Sequence, residues 1–177
     1  FFIGWLAILG IPPFSGFFSK DKIIEAAFLP NPNFGAWYPW VFGLVALVGA
    51  GITAFYMSRL FFLIFHGEAR WTTEAEGAPV HPHEAGPWMT IPLLVLSVFS
   101  IALGGLLSVG NLFVTWLNPI VNIGTRGQMV EHGEPVMPEA LLIGLTLAVV
   151  IIGVVTAWVL FMKRPVEKAV PEANAFI

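Results

Sequence analysis

An otherwise apolar part of the sequence contains four ionisable residues close together: Lys20, Asp21, Lys22 and Glu25. At about 100° per helical residue, Lys20 shares a face with small and apolar residues, whereas Asp21 shares its side with Glu25. Lys22 falls nearly opposite Lys20 on the same helix. A lysine that loses and regains its proton is suited to proton transfer, and a nearby carboxylate would change its affinity for that proton.

The depth of Lys20 distinguishes it from ordinary surface lysines. If its helix leaves the membrane at residues 30–32, Lys20 lies about 14 Å inside that end, close to the middle of a ~30 Å hydrocarbon layer. An ionisable residue there is a functional candidate by default. Snorkelling to the surface is the alternative, but a lysine stem reaches only about 6 Å. For Lys22 and Glu25, which are nearer the end, snorkelling stays open.

Two prolines interrupt the helix that carries Lys20. Pro12 and Pro13 supply no backbone N–H and their rings clash with the preceding turn, so the sequence predicts a helix break here. Gly10 and Gly16 flank the break and allow the backbone to bend. Broken helices persist inside a membrane only where protein or a water-filled cavity receives the freed backbone groups.

The composition is that of a membrane protein. The 177 residues are 57% hydrophobic and 11% charged, whereas a soluble domain carries about a quarter charged residues. There is no cysteine, which excludes disulfides and thiolate ligation of metals or iron–sulfur clusters by these residues. Because Phe1 already lies in an apolar run, we expect the chain to be part of a longer polytopic protein.

Charge-free runs predict one all-α transmembrane domain over residues 1–177 with about four spans. These cover about residues 1–29, 40–65, 88–109 and 140–162, and the first is the proline-broken element. Small residues at 49–51 and 53–54 predict close helix packing in the second span. After Gly110-Asn111, the pattern predicts a short amphipathic helix at the membrane interface that docks against protein.

The positions of the basic residues predict the orientation. The 66–87 loop and the C-terminal tail share one side of the membrane, with Arg59 near it and Arg70, Lys163, Arg164 and Lys168 on it. The loops on the other side contain only Arg126. The positive-inside rule therefore predicts that the 66–87 loop and the tail are cytoplasmic.

Two further residues are candidates for a proton path. Arg59 either pairs with a carboxylate or holds water in a polar axis, or it only anchors the end of the second span. His66 either relays protons between bulk water and a buried axis, because it titrates near neutral pH, or it caps a helix end.

No other motif for chemistry is strong. His81, His83 and Glu84 form only a partial ligand shell, so we expect no metal site. The sequence has no phosphate loop, dinucleotide fingerprint, nucleophile elbow or basic nucleic-acid patch. We therefore expect the lipid bilayer, and not a nucleic acid, to be a partner.

Residues 10–21 resemble the antiporter-like subunits of proton-pumping NADH:quinone oxidoreductase, the bacterial respiratory complex I. The resembling stretch reads GIPPFSGFFSKD. It continues in residues 54–67, AFYMSRLFFLIFHG, and in residues 83–93, HEAGPWMTIPL.

This resemblance implies a role for Lys20 on a central hydrophilic axis, in an outward proton half-channel, with Asp21 in support. It implies a non-redox translocase subunit in the bacterial inner membrane, with the other membrane-arm subunits as partners. NADH, FMN, iron–sulfur clusters and quinone would then belong to other subunits, and this chain would hold no cofactor. Two alternatives stay open, a subunit of a multisubunit cation/proton antiporter and a membrane scaffold whose charges merely pair.

Overall fold

The computed structural model describes residues 1–30, 33–67, 84–121 and 136–162, and all regular structure in these ranges is helical. The helices are α1 (Phe2–Leu9), α2 (Ser15–Ala27), α3 (Tyr38–Phe65), α4 (Pro87–Ser108), α5 (Leu112–Val121) and α6 (Glu139–Met162), with a 3₁₀ turn at Val109–Asn111. Three stretches are long and apolar enough to cross a membrane, namely Tyr38–Phe65, Pro87–Ile120 and Glu139–Met162. With α1 and α2 as a broken fourth element, the predicted all-α transmembrane fold is confirmed.

The break between α1 and α2 occurs at the predicted position. Helix α1 ends at Gly10, whose φ of 77° is left-handed and whose N–H donates to the Ala7 carbonyl at 3.0 Å. Glycine adopts this conformation without the steric cost of a Cβ. The chain then passes Pro12 and Pro13 and becomes helical again at Ser15.

Helices α3 and α6 run parallel and form the most extensive helix–helix contact within the described residues. Small residues make this possible, because a Cβ on Gly153 would lie 2.8 Å from the Gly51 carbonyl oxygen and 3.0 Å from the Ala54 Cβ. Ala50, Ala54 and Ala157 are buried. The predicted close packing of the second span is thus observed, with Gly51 and Ala54 at the contact.

The two halves of the broken helix cross α3 in the antiparallel direction. Trp5 and Leu9 of α1 form a buried cluster that includes Ala54 and Phe61, and the ring centroids of Phe1 and Phe65 are 5.3 Å apart. Ile24 of α2 and Phe28, the residue that caps its C-terminal end, form a second cluster with Leu47 and Ala50. The break, which lies between these clusters along the chain, is therefore level with the middle of the 28-residue α3.

Helix α4 covers the break from another side. A Cβ on Gly104 would overlap the backbone of Ser15, so the two helices touch without intervening side chains. Beyond α4, Gly110 and Asn111 have φ values of 67° and 55°, which end the long apolar run before α5. The predicted division at Gly110-Asn111 and the short helix after it are thus present. Trp116 of α5 is 70% exposed in this chain, so the expected docking of that helix against protein stays a prediction.

The contact at Gly153 provides a test of the α3–α6 pair. In the full-length protein, Gly153→Val should destabilise the fold by about 1–3 kcal/mol, because the new side chain has no space. The measurement is the thermal unfolding midpoint in detergent. Gly144→Val, on the same helix, is the matched control, since a Cβ at Gly144 meets nothing within 4 Å. Equal midpoints for the two variants would contradict this packing.

Candidate functional site

The proline pair leaves backbone carbonyls of α1 without their usual donors. In a continuous helix the Ile8 carbonyl would accept from the N–H of residue 12 and the Leu9 carbonyl from that of residue 13. Both positions are proline and have no N–H. The Ile8 carbonyl instead accepts a hydrogen bond from Lys20 Nζ at 3.4 Å.

The Lys20 side chain therefore runs back toward the break and not toward the end of α2. Its stem passes Gly10, where an added Cβ would lie 3.3 Å from Lys20 Cδ. Gly16 brings α2 close to α1, because a Cβ there would overlap the Ala7 carbonyl oxygen. The half-buried amine has one long hydrogen bond, and a water molecule could replace this weak contact.

Unlike Lys20, Asp21 does not face the helix break. With Glu25 it lines a pocket between α2 and α6, whose α6 side consists of Glu139, Leu142, Ile143 and Thr146. Asp21 Oδ2 is buried and has no hydrogen-bond partner within the described ranges. Buried polar atoms are normally satisfied, and the pocket has room for about one water molecule. The pocket thus supplies the place where water could reach this carboxylate.

An ion cluster lies beside this pocket. Lys22 Nζ donates to Glu25 Oε2 at 2.7 Å and to Glu139 Oε1 at 2.8 Å. The first pair is within α2, whereas the second joins α2 to the first residue of α6. Sequence reasoning placed Glu139 just outside the fourth span but did not connect it with Lys22. An available signal was that α2 ends and α6 begins at the same side of the membrane in the predicted topology.

Arg59 and His66 are near the C-terminal end of α3 and do not contact Lys20. The exposed Arg59 guanidinium lies 5.2 Å from the centroid of the Phe161 ring, a cation–π contact with α6. Within the described ranges no carboxylate is close enough to form an ion pair with it. The backbone N–H of His66 donates a hydrogen bond to the Phe62 carbonyl at 2.9 Å, and His66 is the residue at which α3 ends. Their proposed part in a proton path stays a prediction.

The predicted absence of a metal site stays a prediction. His81 and His83 lie outside the described residues, and Glu84 is exposed. Within the described ranges no group of three His, Cys, Asp or Glu residues is arranged so that it could hold a metal ion.

Sequence reasoning missed a buried polar contact that fixes α1. Trp5 Nε1 donates to Ser58 Oγ at 3.2 Å, and Ser58 is completely buried in α3. The Trp5 ring also stacks on Phe61, with centroids 4.3 Å apart. The first half of the broken helix is therefore tied to α3 just before the break.

These features define a class: polytopic membrane proteins with a proline-broken helix and a lysine at the level of the break. No family model matches the chain. NADH-quinone oxidoreductase subunit L of Mycobacterium tuberculosis is 42% identical to it over 97% of this chain. NAD(P)H-quinone oxidoreductase chain 5 of a Picosynechococcus is 36% identical over 96% of it. Subunit L of Neisseria meningitidis is 33% identical over 92%.

The chain belongs to this family of NADH-quinone oxidoreductase subunit L and NAD(P)H-quinone oxidoreductase chain 5 proteins. This confirms the resemblance found in residues 10–21, 54–67 and 83–93. The chain spans about a quarter of the length of the curated relatives it matches, 25% of the Mycobacterium protein and 26% of the Picosynechococcus protein.

Gly10 allows the geometry around Lys20 to be tested. In the full-length protein, Gly10→Ala should cost about 1–2 kcal/mol of stability from the left-handed backbone alone. Its Cβ would also press on the Lys20 stem. The matched control is Gly4→Ala in α1, where a Cβ meets nothing within 4 Å and helix propensity rises. Thermal unfolding in detergent should separate the two, and a Gly10→Ala protein as stable as Gly4→Ala would contradict the observed cap.

Proposed function

We propose that this chain is part of the proton-translocating membrane subunit of a type I NADH:quinone oxidoreductase. In this function Lys20 exchanges protons with water, driven by quinone reduction elsewhere in the complex. The subunit is a translocase component and carries out no redox step itself. The names of the relatives support the complex, and the 3.4 Å contact between Lys20 Nζ and the Ile8 carbonyl supports the role of Lys20.

That contact supports proton exchange because it favours the protonated form of the amine, which is the stronger hydrogen-bond donor. A protonated Lys20 is stabilised by a carbonyl that the proline pair has left without a donor. The same amine has no ion-pair partner within the described ranges, so its charge is only weakly compensated. Small changes in neighbouring charges can therefore shift the balance between the protonated and neutral forms.

Asp21 has the supporting role. It follows Lys20 directly in sequence but faces the pocket between α2 and α6. A proton released by Lys20 would pass through water around α2, and Asp21 Oδ2 would accept it before it reaches the outside. Arg59 and His66 are proposed to hold water and to relay protons at the other end of α3.

The remaining assignments follow from the same proposal. The partners are the other membrane-arm subunits and the lipid bilayer, and the location is the bacterial inner membrane. The 66–87 loop and the C-terminal tail face the cytoplasm. NADH, FMN, iron–sulfur clusters and quinone are held by other subunits, and the 177 residues here include no cysteine that could ligate a cluster.

Substitution of Lys20 tests the proposal in inverted membrane vesicles that contain the whole complex. Lys20→Ala should abolish most NADH-driven proton pumping, measured by quenching of a pH-sensitive dye, while the complex still assembles. Lys20→Arg should also assemble and fail to pump. Arginine keeps the charge and the donor, but it stays protonated in proteins and cannot pass a proton on.

Ser19→Ala is the matched control on the same helix turn, because within the described ranges the Ser19 hydroxyl donates hydrogen bonds only to carbonyls of its own helix. Its pumping should be unchanged. Normal pumping by Lys20→Arg would refute proton exchange at this position and leave a structural charge. Sodium-coupled exchange in vesicles without NADH would instead indicate an antiporter.

A further inference from the structure

We propose that Lys22 and Glu139 form an ionic latch between α2 and α6 that controls the access of water to Asp21. The inference deepens the proposed function, on which it rests for the role of Asp21. Both are positioning residues, since neither carries the translocated proton. Lys22 Nζ and Glu139 Oε1 are 2.8 Å apart, although the two residues are 117 positions apart in the sequence.

The shape of the pocket supports this role. Residues 139, 142, 143 and 146 recur at helical spacing, so they line one face of α6. The seven-residue step from Glu139 to Thr146 corresponds to about 10 Å along the helix. Glu139 is exposed and Thr146 is 4% exposed. The pocket, called the groove below, is thus lined by α6 residues from exposed Glu139 to buried Thr146.

The latch differs from the buried contacts that surround it. At the outer end, the Val136 N–H donates to the Phe28 carbonyl at 3.3 Å. Phe28 is completely buried in a cluster with Leu142 and Leu47. Buried packing therefore joins this end of α2 to α6, whereas Lys22 and Glu139 are joined only through two exposed, flexible side chains.

The exposure of the pair makes it easy to open. The Lys22 and Glu139 side chains are 65% and 60% exposed, so solvent and salt weaken their attraction. Lys22 also has a second partner, Glu25, on its own helix. When the pair with Glu139 breaks, Lys22 can stay paired with Glu25, and this lowers the cost of opening the groove.

Thiol labelling at Thr146 tests the latch without using proton pumping. In the full-length subunit within its complex, and without other reactive cysteines, a Thr146→Cys variant reports on water at the inner end of the groove. Modification by N-ethylmaleimide requires the thiolate, which forms where water is present. Adding Glu139→Gln should speed modification about two- to fivefold, as expected for loss of an exposed ion pair.

The control is Glu25→Gln, which removes a charge from the same cluster but leaves the pair between helices. It should leave the labelling rate within about 1.5-fold of its parent, since exposed pairs within a helix are weak. The charge exchange Lys22→Glu with Glu139→Lys should restore slow labelling. Raised salt should speed labelling of the parent, but not of the Glu139→Gln variant.

Three outcomes would overturn the latch. They are an unchanged labelling rate in Glu139→Gln, an equal rise in Glu25→Gln, and failure of the exchanged pair to slow labelling. Because labelling needs no NADH, these outcomes are independent of the pumping result for Lys20. A pumping defect in Lys20→Arg with no latch effect would retain the proposed function and reject only the latch.

Discussion

The structure depends on a compensation between two groups that are each unfavourable inside a membrane. A carbonyl without a donor and an ammonium without an acceptor both lose their hydration when they are buried. Pro12 and Pro13 create the first group, and Lys20 is the second. Because Lys20 Nζ lies 3.4 Å from the Ile8 oxygen, each partly satisfies the other. The remaining compensation comes from other protein groups or from water, so the break is a point where polar groups are favoured at depth.

The rest of the fold keeps this break at a fixed level. Helices α3 and α6 form a close pair through Gly51 and Gly153, and the broken helix lies across α3. Trp5 anchors its first half through Ser58. Phe28 anchors its second half against α3, where a Cβ on Gly43 would overlap its ring. The two halves are thus held against α3 on either side of the break, and the backbone between them can be irregular without loss of this packing.

The sequence predicted features that depend on local chemistry. The break, the division at Gly110 and the different orientations of Lys20 and Asp21 follow from proline, glycine and helical geometry. The contacts of Lys22 with Glu139 and of Trp5 with Ser58 could not be predicted, because they join residues 117 and 53 positions apart. Arg59 shows the same limit. Its charge left a carboxylate partner, held water and a simple anchor all open, and the parallel packing of α3 and α6 brings the Phe161 ring beneath it.

Lys20 and Asp21 are consecutive in the sequence but face different sides of α2, and this has a physical consequence. Lys20 faces the break and Asp21 faces the groove along α6, so α2 separates them although they are consecutive. Charges on consecutive residues of a helix interact through its low-dielectric interior. Each group therefore affects the charge state of the other through the helix, while in the proposed function a proton would travel around the helix through water. A fold that couples two sites electrostatically but separates them for proton movement can take up a proton on one side and release it on the other.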